Sequence, residues 1–198
     1  MAAPPDAPTR IGDAELIERS RDHPDLFAVL YDRYFVEIHR YAAGRLGSQI
    51  ADDVAAETFL VAFRRRESFD PARGTVRPWL YGIATNLVAQ HRRSEMRRLE
   101  ALQRAPVTGE ADEGHEERVA ARLAAAGVQG PLASALRRLP DGDRDVLLLV
   151  ALADLSYEEV SQTLRIPFGT VGSRLNRVRR KLRTALGGVN PMIGDSDG

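Results

Sequence analysis

Apolar residues recur along this chain at spacings of three and four, and almost nowhere in strict alternation. That period predicts helices rather than strands. In "DLFAVLYDRYFVEIHRYAAGRLG", Leu26, Leu30, Tyr34, Ile38 and Tyr41 form one stripe and Gly47 closes the segment, as glycine does just past a helix end. "SQIADDVAAETFLVAFRRR" predicts a second helix, with Ser48 as its N-cap and Asp52 and Asp53 near its positive end. "ESFDPARGTVRP" reads as a loop from its Pro and Gly. Pro78 then opens a third helix, "WLYGIATNLVAQHRRSEMRRLEALQ". Residues 105–130 are rich in Ala, Gly and acids, poor in large apolar residues, and read as a linker. A second helical unit follows from Pro131 to about Leu186, and the tail "GGVNPMIGDSDG" is expected to be loose.

Punctuation is sharpest in the second unit. In "LSYEEVSQTL", Ser156 precedes Glu159 by three, the spacing of a capping box. Pro167 discourages helix at Ile166, so a new helix is predicted from Gly169 or Thr170. On it Val171, Leu175, Val178 and Leu182 form a narrow apolar stripe. The opposite face carries Thr170, Ser173, Asn176, Arg177 and Arg180, with Arg174, Lys181 and Arg179 on its flanks. Two short helices about a tight turn predict a helix-turn-helix, whose second helix enters a major groove with its N-terminal end toward the bases. Thr170 and Ser173 stand at that end, and the arginines behind suit phosphates. A plain basic amphipathic helix is the competing reading, but it leaves the capping box and the proline turn unexplained. A membrane-surface helix would carry Trp or Phe on its apolar face.

Charge changes the picture only locally. Formal net charge is zero, yet Arg165–Arg183 holds seven basic residues and no acid. Residues 92–104 carry net +3, whereas residues 140–160 carry net −5 and read as a solvated or partner-facing surface. Positive blocks of this kind suit polyanions. No cysteine is present, which removes disulfides and thiolate metal sites and fits a reducing cytoplasm. No apolar run approaches a membrane span, so a cytoplasmic protein without a membrane partner is expected. The four histidines are scattered, and no HExxH, P-loop, GxSxG or dinucleotide fingerprint occurs. No catalysis, metal, cofactor or small-molecule substrate is expected.

The first unit offers two further surfaces. On the second helix Asp53, Glu57, Leu60 and Arg64 share a stripe suited to a partner helix, and "TFLVAF" is apolar nearly all round. Phe59 and Phe63 can serve that partner face or the core. On the third helix Trp79, Asn86, Gln90 and Arg93 form one stripe and Tyr81, Thr85 and Arg92 another, with Leu80, Ile83, Ala84 and Leu87 as the buried side. Aromatics, amides and guanidiniums together meet the needs of single-strand binding. For Trp79, core packing stays open as an alternative, and the arginine pairs can be simply solvated.

"LSYEEV", "IPFGTV" and "SRLNRVRRKLR" resemble region 4 of bacterial sigma factors, and "LFAVLYDRY", "ADDVAAETFLVAFRR" and "WLYGIATNLVAQHRRS" resemble region 2. The pattern is similar to the extracytoplasmic-function (ECF) group of the sigma-70 family, over about Asp13 to Leu186. The resemblance implies an all-α chain of two small helical domains joined by a flexible acidic linker. Its segments would be an N-terminal extension (1–25), region 2 (26–104), the linker (105–130), region 4 (131–186) and a tail (187–198). It implies an alternative sigma factor, with core RNA polymerase and promoter DNA as partners and room for an anti-sigma factor. Asp52, Asp53, Glu57, Phe59 and Leu60 would dock the polymerase. Trp79, Tyr81, Asn86, Gln90, Arg92 and Arg93 would hold the melted −10 strand. Tyr157, Glu158, Thr170, Ser173, Arg174, Arg177 and Arg180 would bind the −35 duplex. The linker would thread toward the RNA exit path. Three positions depart from the pattern: Ala56 stands where glutamine is frequent, Arg165 where glycine is, and Gly172 where a basic residue is common. The alternative is a free-standing helix-turn-helix regulator bound to an operator as a dimer, which would have no need of "DDVAAETFLVAF" or "WLYGIATN".

Overall fold

The computed structural model describes residues 11–104 and 130–185. Those residues form eight α-helices and no strand. The first half holds α1 (Asp13–Arg19), α2 (Ala28–Leu46), α3 (Ser48–Arg65) and α4 (Val76–Arg104). The second holds α5 (Gly130–Arg137), α6 (Asp141–Ala151), α7 (Tyr157–Leu164) and α8 (Phe168–Ala185). The linker reading of 105–130 lies outside the described residues except for Gly130, and the tail reading of 187–198 lies wholly outside them.

In the first half α2, α3 and α4 pack on one another. The stripe read on α2 is the side that packs: Leu30, Ile38 and Tyr41 are buried. Burying one such side chain fully contributes roughly 1.5–3 kcal/mol. The turn to α3 is a single residue, Gly47, at φ 83°, which a side chain would resist. That tight turn makes Ser48 the first residue of α3 rather than its cap, and no side chain caps the helix. Helix α4 begins at Val76, two residues before Pro78, since a first-turn proline has no intrahelical N–H to lose. Residues 1–25, read as an extension, contribute a helix to this core. Leu16 and Ile17 of α1 are 1% and 0% exposed, and Arg33 Nη1 donates to Asp13 at 2.5 Å.

In the second half α8 packs on α5, α6 and α7. The two halves are not separate bodies. Most of their buried residues form one cluster that runs from Leu30 and Leu80 to Val146, Leu149 and Val171, while Leu139, Leu147, Val178 and Leu182 form a second within the second half. Gly44 of α2 lets Leu148 of α6 and Leu152, just past its end, approach, and Gly82 of α4 lies under the Thr163 carbonyl of α7. Thr163 Oγ1 also donates to the Pro78 carbonyl at 3.3 Å.

At the centre of this contact sits an ion pair. Arg45 of α2, its side chain 2% exposed, places Nε 2.7 Å from Asp145 Oδ1 of α6. Tyr41 donates its hydroxyl to the same carboxylate at 3.2 Å. Burial raises the Asp145 carboxyl above the ordinary range, against the pull of Arg45 and Tyr41. Beside it Asp141 of α6 pairs with Arg92 of α4. The acidic 140–160 block, read as a solvated or partner-facing surface, therefore turns its α6 carboxylates toward the chain's own arginines. The pattern of charge had shown the acids but not what faced them.

Removing one member of a buried pair strands the other, at a cost of roughly 3–5 kcal/mol. Solvation of Arg45 by parting the halves relieves that cost, so Asp145→Ala is expected to open the chain. Small-angle scattering should show a larger radius of gyration than for the parent. An unchanged scattering profile would contradict this role for the pair.

Candidate nucleic-acid interface

The punctuation of the second half folds as its chemistry dictates. Ser156 N–H donates to the Glu159 carboxylate at 2.8 Å, and Glu159 N–H donates to Ser156 Oγ at 3.2 Å. Helix α7 ends at Arg165, whose φ of 53° and ψ of 46° are left-handed. That conformation costs an L residue roughly 1–2 kcal/mol, which accounts for glycine as the residue expected there. Pro167 then sets the entry to α8, which starts at Phe168, one to two residues earlier than its pattern predicts. Val171, Leu175, Val178 and Leu182 are the buried stripe.

The outer face of α8 exposes Ser173, Asn176, Arg177 and Arg180, with Thr170 half-buried at its N-terminal end. Glu158 is exposed and Tyr157 half-buried at the start of α7. Two arginines of this face also hold the fold. Arg174 Nη1 donates to the Gly142 carbonyl at 3.2 Å. Arg177 Nη1 donates to Asp143 at 3.0 Å, and that carboxylate is 2% exposed. Arg177 thus neutralises a buried acid as well as lining the face, a partnership that helix periodicity alone does not reveal.

A second surface lies where the halves meet. Trp79 of α4 is half-buried and tilts against Phe69 at 5.1 Å between ring centroids. It is part core and part wall of a cavity of about 620 Å³, with Arg65, Arg73 and Asn86 also on that wall. The opposite wall comes from the second half, through Gln162, Thr163 and Arg165. Asn86 and Gln90 are exposed, although Asn86 Nδ2 donates to the Gly82 carbonyl at 2.8 Å. Arg93 is exposed, while Arg92 is engaged with Asp141. Tyr81, expected on the strand-binding side, is 1% exposed and does not present its ring. Its ring packs edge-on to Tyr41 at 5.6 Å. Arg65, Arg73 and Phe69 were not singled out from sequence, although all three flank or occupy the Pro- and Gly-marked loop.

The third surface is the outer side of α3. Asp52, Asp53, Glu57 and Leu60 are all exposed, Leu60 by 47%. Asp52 lies 3.2 Å from His39 Nε2. Phe59, placed in the same group by resemblance, is 4% exposed and packs against Tyr31 with ring centroids 5.0 Å apart. Phe59 shares the inward side of α3 with Ala51, Val54, Ala55 and Ala62, and its neighbour Leu60, turned by one residue, takes the outward position.

The family model for Sigma-70 region 2 matches residues 30–98, and that for Sigma-70, region 4 matches residues 129–182. The ECF RNA polymerase sigma factor SigW of Bacillus subtilis is 31% identical over 82% of this chain and 89% of its own length. The chain belongs to the ECF group of the sigma-70 family. The ECF RNA polymerase sigma factor SigE of Mycolicibacterium smegmatis is 36% identical over 75% of the chain, which spans 57% of that relative's length. Among solved structures, CnrH in complex with the cytosolic domain of CnrY aligns over 88% of this chain and 97% of its own, with a TM-score of 0.66 and 27% identity. In sigma-70 terms, the α3 face and the Trp79 wall lie within the region 2 match, and α7 and most of α8 within region 4. Among the described residues no group of His or carboxylates could hold a metal ion, and no helix is long and apolar enough to cross a membrane.

Arg177→Ala is expected to destabilise the second half as well as weaken any duplex contact, because it leaves Asp143 buried without its cation. Such an unpaired group costs roughly 1–3 kcal/mol. Urea titration should show an earlier midpoint for the variant; a midpoint equal to the parent's would reduce Arg177 to a surface contact.

Proposed function

We propose that this sigma-70 family member is an alternative sigma factor that brings core RNA polymerase to specific promoters and promotes strand opening. The observation that carries this reading is the pair of polyanion-suited surfaces on one chain. One is a helix-turn-helix whose second helix exposes small polar groups at its N-terminal end and arginines behind. The other is a wall of arginine, amide and tryptophan on α4. The first fits a major groove, and the second fits an unpaired strand. Stacking of one base contributes roughly 1–3 kcal/mol, similar in size to the cost of unstacking it. Capture of open strands therefore drives melting without any reaction catalysed by this chain.

The acidic and apolar face of α3, with Asp52, Asp53, Glu57 and Leu60, is the docking surface for the polymerase. The loop 69–75, with its 3-10 turn at Pro71–Arg73, and α4 hold the −10 strand, through Trp79, Asn86, Gln90, Arg92 and Arg93. The −35 duplex lies along α8, with Thr170 and Ser173 toward the bases and Arg174, Arg177 and Arg180 toward phosphates. The structure described is closed: Gln162, Thr163 and Arg165 stand across the cavity from Trp79, and Asp141 occupies Arg92. Strand capture requires the halves to part, and engagement of the polymerase on α3 supplies the occasion. An anti-sigma partner that holds the halves together fits the same logic, and CnrH was solved in complex with another protein, the cytosolic domain of CnrY. A cytoplasmic location follows from these partners.

Mixed with core polymerase and a genomic promoter library, the chain should give promoter-dependent starts that share two spaced elements. Absence of both core binding and promoter-dependent initiation would reject the proposal. Arg92→Ala should lower the yield of open complexes while leaving affinity for the upstream duplex unchanged. Arg180→Ala should weaken duplex binding for all sequences alike and reduce its salt slope by about one. If both variants impair the same step, the two surfaces are not divided as described.

A further inference from the structure

Phe168 is the first residue of α8 and is 57% exposed. It is not needed to close the helix start. The positions that clasp a helix entry are the residue before the cap and the fourth residue within. Here those are Ile166 and Val171, both already in the core cluster. On the helix wheel Phe168 borders the Val171, Leu175, Val178 and Leu182 stripe, two turns before Leu175, yet at the helix tip its ring lies beyond the core and stays exposed. It shares its edge of α8 with Gly172, one turn on, and Arg179, two turns beyond that. A Cβ added at Gly169 or Gly172 would meet no atom of the protein within 4 Å. The ring is therefore set at the tip of the helix with bare backbone beside it. Tyr157 of α7 flanks it, with ring centroids 6.3 Å apart, and Arg179 Nη2 donates to the Tyr157 hydroxyl at 3.5 Å.

This edge differs in chemistry from the hydroxyls and guanidiniums of the rest of the face. An apolar ring gains nothing from phosphates or from the hydrogen-bonding edges of bases. The one apolar group that a major groove presents is the C5 methyl of thymine, and phenylalanine is among the side chains that meet it. The missing side chain at Gly172 lets the duplex come down onto the helix where a long side chain would hold it off.

We propose that Phe168 is a specificity-determining residue that reads a thymine methyl in the upstream promoter duplex, and that Gly172 provides the clearance for that contact. The assignment rests on the reading that α8 enters the major groove. It turns the departure at Gly172 from a lost basic contact into one half of an apolar reading site.

The test uses the full chain assembled with core polymerase, on upstream-element duplexes in which each thymine is replaced in turn by uracil, which lacks the methyl. The parent should lose about fourfold in affinity at one thymine, the value of a single buried methyl group. Phe168→Ala should bind the thymine duplex less tightly and be indifferent to the replacement. Its exposed position predicts an unchanged melting temperature, which serves as the folding control. Gly172→Leu should melt no lower than the parent yet bind that duplex more weakly. Duplex binding by the parent with no dependence on any methyl, or equal dependence in Phe168→Ala, overturns this assignment and leaves the function standing. A Phe168→Ala chain that fails to bind core polymerase instead makes the ring a protein contact and overturns it too. Failure of the parent assembly to bind any duplex overturns both.

Discussion

The arrangement of this molecule depends on a carboxylate and a guanidinium held out of water between its two halves. Asp145 and Arg45 meet at 2.7 Å, and Tyr41 links the pair to Thr85 of α4 through a 3.0 Å hydroxyl contact. The attraction is real but so is the cost of desolvating both ions, and buried pairs seldom add much net stability. The geometry here is also incomplete. Nη1 of Arg45 is buried without a hydrogen-bond partner among the described residues, and Nε, though close to Asp145, is not aligned to donate. What the pair contributes is position: only one docking of α6 on α2 puts the acid beside the base. The apolar residues shared by the halves supply the attraction, and the pair fixes which docking they adopt.

The first turns of α6 repeat that logic three times. Asp141, Asp143 and Asp145 lie on alternate positions and reach Arg92, Arg177 and Arg45, with Asp141 also 3.7 Å from Arg45. They also sit at the positive end of their own helix, which favours carboxylates there. One short acidic segment thereby engages an arginine of α4, an arginine on the outer face of α8 and the joint between the halves. Under the proposed function, strand binding, duplex binding and closure would all draw on residues of this one helix.

Much of this was legible in the sequence because it is local. The stripe on α8, the capping box at Ser156 and the stop at Gly47 depend on neighbours within a few positions, and periodicity reports them directly. Phe59 and Tyr81 were harder, since an aromatic beside a polar stripe fits a partner surface and a core equally well until the facing helix is placed. Ser48 failed as a cap because the turn before it is one residue long, a constraint set by how α2 and α3 pack. The Arg45 pair left one trace: Arg45 continues the stripe of Ile38 and Tyr41 at the next four-residue step. A charge on a buried stripe signals a partner, but its identity, a hundred positions away, is not written in any local pattern.

The engagement of Arg92 by Asp141 bears on how DNA binding would respond to ions in solution. A guanidinium that leaves solvent to neutralise a phosphate displaces condensed counterions, and the gain shrinks as salt rises. Arg92 does not start from solvent. It exchanges one anionic partner for another, and salt screens the internal pair as well as the new one. Its transfer to a strand would therefore be nearly neutral in charge. Under the proposed function, strand capture at this position would be buffered against changes in ionic strength, whereas Arg180, exposed on α8, would bear the full dependence.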